Sequence, residues 1–156
     1  MDKNNSRLQL EIESYSAYHQ SRANQLTHII GIPLILFSLF CGLGWLRFLH
    51  TDIPLSGGTL LFLGLVIFYV RIHLGLGIAF AVWSFPIFLL AQKASVTAFP
   101  MSLFITLGTF VVGWGFQWLG HSVEKNRPAF LTNLSHLWRG PLFISYKLGC
   151  SLGLRF

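Results

Sequence analysis

Residues 53–91 form a run of 39 residues with a single charge, Arg71, near its centre. That is more than one helix needs to cross a hydrocarbon core about 30 Å thick at about 1.5 Å per residue. Two antiparallel spans fit it, with the reversal at Arg71-Ile72-His73 and help from Gly75 and Gly77. Residues 29–49 form a 21-residue run charged only at Arg47, and residues 96–119 carry no charge, with Pro100 near the start where helices tolerate it. Each is a further span. Residues 140–154 number 15 and include Lys147, too few to cross, and read as a re-entrant or interfacial helix. Ahead of all these, residues 8–22 place Leu8, Ile12, Tyr15, His19 and Arg22 at spacings of three and four, an amphipathic helix at the interface or on the protein body.

The expected fold is therefore an all-α integral membrane domain over 1–156. It has about four transmembrane helices, an N-terminal amphipathic helix and a C-terminal re-entrant or interfacial helix. Composition agrees: 53% of residues are hydrophobic and 10% charged, against about 25% charged in soluble domains. The N-terminus, with Asp2, Lys3, Arg7, Glu11 and Glu13, has no short apolar segment or small-residue cleavage site and does not read as a signal peptide. Cys41 and Cys150 form no C-x-x-C pair and read as packing residues.

The net charge of +6 does not imply nucleic acid, because the basic residues form no dense patch with aromatics. They fit topology instead. Lys3, Arg7 and Arg22 precede the first span, Arg71 divides the second from the third, and Lys125, Arg127, Arg139, Lys147 and Arg155 follow the fourth. The other two connections hold only Arg47 and Lys93. By the positive-inside rule both termini face the cytoplasm, in the inner membrane of a bacterium or the endoplasmic reticulum of a eukaryote. An even number of spans then brings His19, His28, His73 and His121 to one face.

Histidines at both edges of a hydrocarbon slab suit a metal site assembled from separate segments. Gln117, His121 and Glu124 recur at four and three residues, so on a helix continuing the fourth span they share a face, with Trp114 a turn earlier. Two readings of that face stand side by side: an inward-pointing metal ligand with a supporting carboxylate, or an interfacial helix end where His121 and Glu124 bond to each other. His19 and His28 are nine residues apart, half a turn out of phase on one unbroken helix. They can share an ion only if the helix breaks, and Asn24 as an N-cap is the expected breaking point; the alternative is an ordinary polar turn at a membrane surface. Arg71 suits snorkelling to lipid phosphate or an anionic substrate group. His50 falls on the opposite side, and His136 reads as a surface loop residue. No G-x-S-x-G, P-loop, G-x-G-x-x-G or H-E-x-x-H occurs, nor the clustered histidine boxes of membrane di-iron desaturases.

Tyr18-His19, Asn24, His28 and Pro33-Leu34-Ile35-Leu36-Phe37-Ser38, followed by Gly113-Trp114, Phe116-Gln117, Gly120-His121, Glu124-Lys125, Arg127-Pro128-Ala129 and Pro141-Leu142-Phe143, carry a resemblance along nearly the whole chain. In these residues it resembles the small membrane 2-hydroxy fatty acid dioxygenases, typified by a fungal iron-dependent enzyme of phytosphingosine degradation. The resemblance implies an Fe(II) enzyme that uses dioxygen to shorten a 2-hydroxy fatty acid by one carbon, with release of carbon dioxide. It also implies that His19, His28 and His121 hold the iron. Gln117, Asn24 and Glu124 then support the ligands or touch the substrate. Hydroxy acid plus dioxygen balances to shortened acid, carbon dioxide and water, so the reaction calls for no flavin or nicotinamide. Two rival readings are a non-catalytic lipid-binding scaffold and a different metal- or haem-dependent membrane lipid enzyme.

Overall fold

A computed structural model describes residues 10, 12–13, 21–48, 55–124, 138–151 and 153. Among them the chain is helical, with one isolated antiparallel bridge between Arg47 and Ser56. The helices are α1 (Arg22–Leu43), α2 (Gly57–Ile72), α3 (Leu74–Ser95), α4 (Phe99–Glu124) and α5 (Arg139–Ser151).

The cap at Ser21 sets where α1 begins. Ser21 has extended backbone, φ −79° and ψ 143°, and its hydroxyl accepts the amide of Asn24 at 3.1 Å, the usual N-cap geometry. The helix that carries His28 starts after the extended Ser21, and Asn24 is not its cap; Asn24 lies inside the first turn with its side chain fully buried. The first span therefore starts seven residues before the apolar run at 29, because a helix start follows the cap and not hydropathy. It ends at Leu43, with Gly44 as C-cap, where the chain turns toward the Arg47–Ser56 bridge. Of the expected amphipathic helix, Leu10, Ile12 and Glu13 are helical and Ile12 packs on the core. Its remaining positions before Ser21 lie outside the described residues, and Arg22 belongs to α1.

The reversal falls at His73, one extended residue between α2 and α3. Gly77 makes it possible: a Cβ there would lie 2.7 Å from the Val70 nitrogen. The two helices then run antiparallel, with ring centroids of Tyr69 and Phe80 4.7 Å apart and those of Phe62 and Phe88 also 4.7 Å apart. Phe40 of α1 meets Phe62 and Phe88 edge-on, which makes one aromatic core for three helices.

Three helices, α1, α3 and α4, are long and apolar enough to cross a membrane; α2 is apolar but has 16 residues, about 24 Å. Large apolar side chains line the outside, among them Leu26, Leu74, Val82, Phe104 and Val111. Water would not tolerate so continuous an apolar surface, whereas lipid requires it. Helix α5 packs on α3 and on α1. Tyr69 donates to the Trp138 carbonyl at 2.6 Å, and Trp83 Nε1 donates to Ser145 Oγ at 3.0 Å. Cys41 is buried as expected, but Cys150 is exposed at the end of α5 and is not a packing residue.

Buried polar groups gather at the two ends of the bundle. At the end where α1 finishes, Ser56 donates to Gln92 Oε1 at 3.0 Å and Gln92 Nε2 donates to the Phe40 carbonyl at 3.4 Å. Arg47 reaches Ser95, and Trp45 Nε1 donates to Ser102 Oγ at 2.8 Å. These bonds tie α1, α2, α3 and α4 together through groups that satisfy one another, so this end is a clasp. Gln92→Leu should lower stability by about 1–2 kcal/mol, the scale of an interhelical bond in a membrane. Thermal unfolding in detergent checks this, and activity of the folded fraction should stay unchanged.

Candidate active site

The other end is built on α1 and α4, which run antiparallel in contact along their length. Gly31 and Gly113 allow the approach: a Cβ on Gly31 would lie 2.7 Å from the Gly113 carbonyl oxygen, and one on Gly113 would lie 3.0 Å from that of Gly31. One or two turns further toward this end, Gly120 sits against the side chains of Asn24 and Thr27. The buried face of α4 is Gly113, Gln117, Gly120 and His121, a helical stripe repeating at four, three and one. It meets Asn24, His28 and Gly31 of α1, which are likewise buried.

This packing brings two of the expected site histidines together. The rings of His28 and His121 stand edge to face, centroids 4.9 Å apart and planes at 89°. They are 3% and 4% exposed, so imidazoles from residues 93 apart in sequence are buried against each other. His28 Nδ1 is 2.9 Å from the Asn24 carbonyl oxygen. A carbonyl only accepts, so Nδ1 carries the proton, which fixes the tautomer of the neutral ring. Thr27 Oγ1 donates to the same carbonyl at 2.8 Å. Two imidazoles bonded to one ion at about 2.1 Å would hold their centroids roughly 4.5–5.2 Å apart at ligand angles of about 90–110°. The observed centroid separation of 4.9 Å lies within that range.

Gln117 lies one turn before His121, 7% exposed, and its Nε2 has no hydrogen-bond partner among the described residues. Glu124 is half-buried, adds a negative charge beside His121 and accepts the backbone N–H of Ser21 at 2.5 Å. Among the described residues, no three of His, Cys, Asp and Glu are grouped so as to hold a metal. His19, the third expected ligand, lies outside the described residues, as do His50 and His136. His73 is half-buried at the α2–α3 hinge, and Arg71 is exposed.

Two contributors escape the sequence reading. Ser21, not Asn24, caps α1; both are good capping residues three apart, and only the burial of Asn24 against Gly120 decides between them. Lys147 of α5 donates to Gln25 Oε1 and lies over the Phe143 ring, 4.9 Å from its centroid. That contact fastens α5 to the first turn of α1 and has no motif to announce it.

An α1–α4 pair carries buried histidines at one end of an apolar bundle in which three helices are long and apolar enough to cross a membrane. Residues 6–151 match the family described as 2-hydroxy-palmitic acid dioxygenase Mpo1-like. The chain is also 34% identical over 149 residues to the 2-hydroxy-palmitic acid dioxygenase MPO1 of Saccharomyces cerevisiae, covering 94% of this chain and 82% of that one. The chain belongs to this dioxygenase family. No solved structure matches it.

The close helix approach gives a test in which two opposed effects compete. Gly→Ala in a helix is favourable by about 0.5–1 kcal/mol on backbone entropy, but at Gly31 the new methyl meets the Gly113 carbonyl. Overpacking costs about 1–3 kcal/mol and should win. Gly31→Ala should therefore lower the melting temperature in detergent. Gly108→Ala, whose Cβ would meet nothing within 4 Å, should leave it unchanged or raise it.

Proposed function

We propose that this protein is an Fe(II)-dependent dioxygenase that converts a 2-hydroxy fatty acid of the 2-hydroxypalmitic class into the fatty acid one carbon shorter. The observation that carries the reading is the His28–His121 pair, buried, edge to face and with His28 Nδ1 committed to a backbone carbonyl. Family membership supplies the reaction class. His28 and His121 hold the ion, with His19 as the third ligand. Haem is disfavoured because bis-histidine haem needs rings on opposed faces of a flat pocket, and these rings adjoin at 89°.

When bound, Fe(II) with three imidazoles has open positions at which a hydroxyl and a carboxylate oxygen can chelate and dioxygen can react. The rest follows from the chain's own groups. The Asn24 carbonyl holds the His28 ring in one tautomer and one orientation. Gln117 presents a buried N–H donor one turn below His121, placed to receive an oxygen of the hydroxy-acid head group. The apolar walls exclude water and accept the acyl chain between the helices or along their lipid face. In the net reaction R–CHOH–COOH plus dioxygen gives R–COOH, carbon dioxide and water. The carboxyl carbon leaves as carbon dioxide, and the substrate's four electrons reduce dioxygen, so no external reductant enters.

In the membrane, α2 crosses together with α3, which makes four crossings and sets both termini and the histidine end on the cytoplasmic side. Cysteine labelling at Ser6 and Ser151 should place both on one side of the membrane; opposite sides would exclude this topology.

The function is tested by anaerobic purification, iron analysis and assay of 2-hydroxypalmitic acid for oxygen uptake and a C15 acid. His19→Ala, His28→Ala and His121→Ala should each abolish chain shortening and lower iron content, with His50→Ala and His136→Ala close to wild type. Gln117→Leu should keep iron and lose roughly 10- to 100-fold in activity. Full turnover by His121→Ala, or wild-type protein that takes up no iron, would remove the proposal.

A further inference from the structure

We propose that Glu124 is a positioning residue that locks the two histidine-bearing helices to each other and does not ligate the metal. The inference rests on the reading of His28 and His121 as ligands. Its basis is a run of three hydrogen bonds that starts on α4 and ends on the His28 ring. Glu124 Oε1 accepts the Ser21 N–H at 2.5 Å, across 103 residues of sequence. Ser21 Oγ in turn accepts the Asn24 N–H at 3.1 Å. The Asn24 carbonyl accepts His28 Nδ1–H at 2.9 Å. His121 sits one turn before Glu124 on the same helix, so the carboxylate fixes the start of α1 relative to the helix that carries the other ligand.

The chemistry of each partner favours this role. The amide of an N-cap residue has no acceptor within its own helix, and a carboxylate at a helix N-terminus also meets the positive end of the helix dipole. Glu124 satisfies both at once. The Ser21 bond uses Oε1 alone and stands whatever Oε2 meets, and His28, His121 and Glu124 do not form a three-membered metal-holding group. Gly120, pressed against Asn24 and Thr27, brings the two helices close enough for the bond to form.

Two isosteric logics separate positioning from ligation. Glu124→Gln keeps an oxygen acceptor for the Ser21 N–H but loses the charge; Glu124→Ala loses both. The first measurement is backbone amide exchange at Ser21 in isotope-labelled protein in detergent micelles, which needs no metal. Ser21 should be protected in wild type and Glu124→Gln, and should exchange at least about 10-fold faster in Glu124→Ala. The second is the Co(II) dissociation constant, read from visible absorption. It should rise roughly 10- to 100-fold in Glu124→Ala and stay within about threefold in Glu124→Gln, where a neutral bond replaces a charge-assisted one. Unchanged Ser21 exchange in Glu124→Ala overturns the clamp. Co(II) binding lost equally in both variants while Ser21 stays protected in Glu124→Gln also overturns it, because the charge would then act at the metal. Wild-type protein that binds no Co(II) yet shows the expected exchange pattern counts against the iron reading and leaves the clamp standing.

Discussion

Everything at the histidine end depends on how closely α1 and α4 approach. Gly31 and Gly113 face each other with backbone nearly on backbone, and Gly120 meets the side chains of the first turn of α1. In lipid there is no hydrophobic gain from pairing two apolar helices, so van der Waals contact between small residues and interhelical hydrogen bonds must hold them. The glycines supply the first. The second lies at the ends, in the Ser21–Glu124 bond on one side and the Trp45–Ser102 bond on the other. Placing imidazoles from each helix in contact with one another is a consequence of that spacing.

The two polar ends of the bundle are built on different logic. At the Gln92 end, hydroxyls, an amide and an indole bond mainly to one another and to a backbone carbonyl. At the histidine end, the carbonyl of Asn24 takes the proton-bearing nitrogen of His28, and Gln117 keeps a donor that no described residue accepts. A polar group inside an apolar body costs free energy unless it is satisfied. The first end therefore reads as structure, and the second is the end to which the proposed function assigns a ligand.

Much of this was legible in the chain. The lone Arg71 in a long apolar run marked the α2–α3 reversal to within two residues, because charge must reach an edge of the slab. The alternation of spans placed His28, His73 and His121 at one end without any motif. The four-and-three spacing of Gln117, His121 and Glu124 put them on one stretch of helix, although Glu124 faces the start of α1 at its edge. What stayed hidden depends on partners distant in sequence. Ser21 and Asn24 are equivalent as caps until Gly120 buries one of them. Ser56, Gln92 and Ser102 look incidental in a hydropathy plot, since nothing local shows that they bond across helices. The length of α2 also escaped, because the polar clasp and the Arg47–Ser56 bridge, not hydrophobicity, determine where it starts.

Helix α4 leaves more of its surface uncovered than α1 or α3 does. It touches α1 along its length and α3 only slightly. The helix that carries His121 thus presents an apolar outer surface, with Phe104, Val111 and Leu119 turned outward. On the proposed function, a long-chain acid already dissolved in the bilayer would meet this helix sideways. Its tail can remain in the membrane while its head group reaches the histidine end, and the sparing solubility of such acids in water then places no limit on encounter.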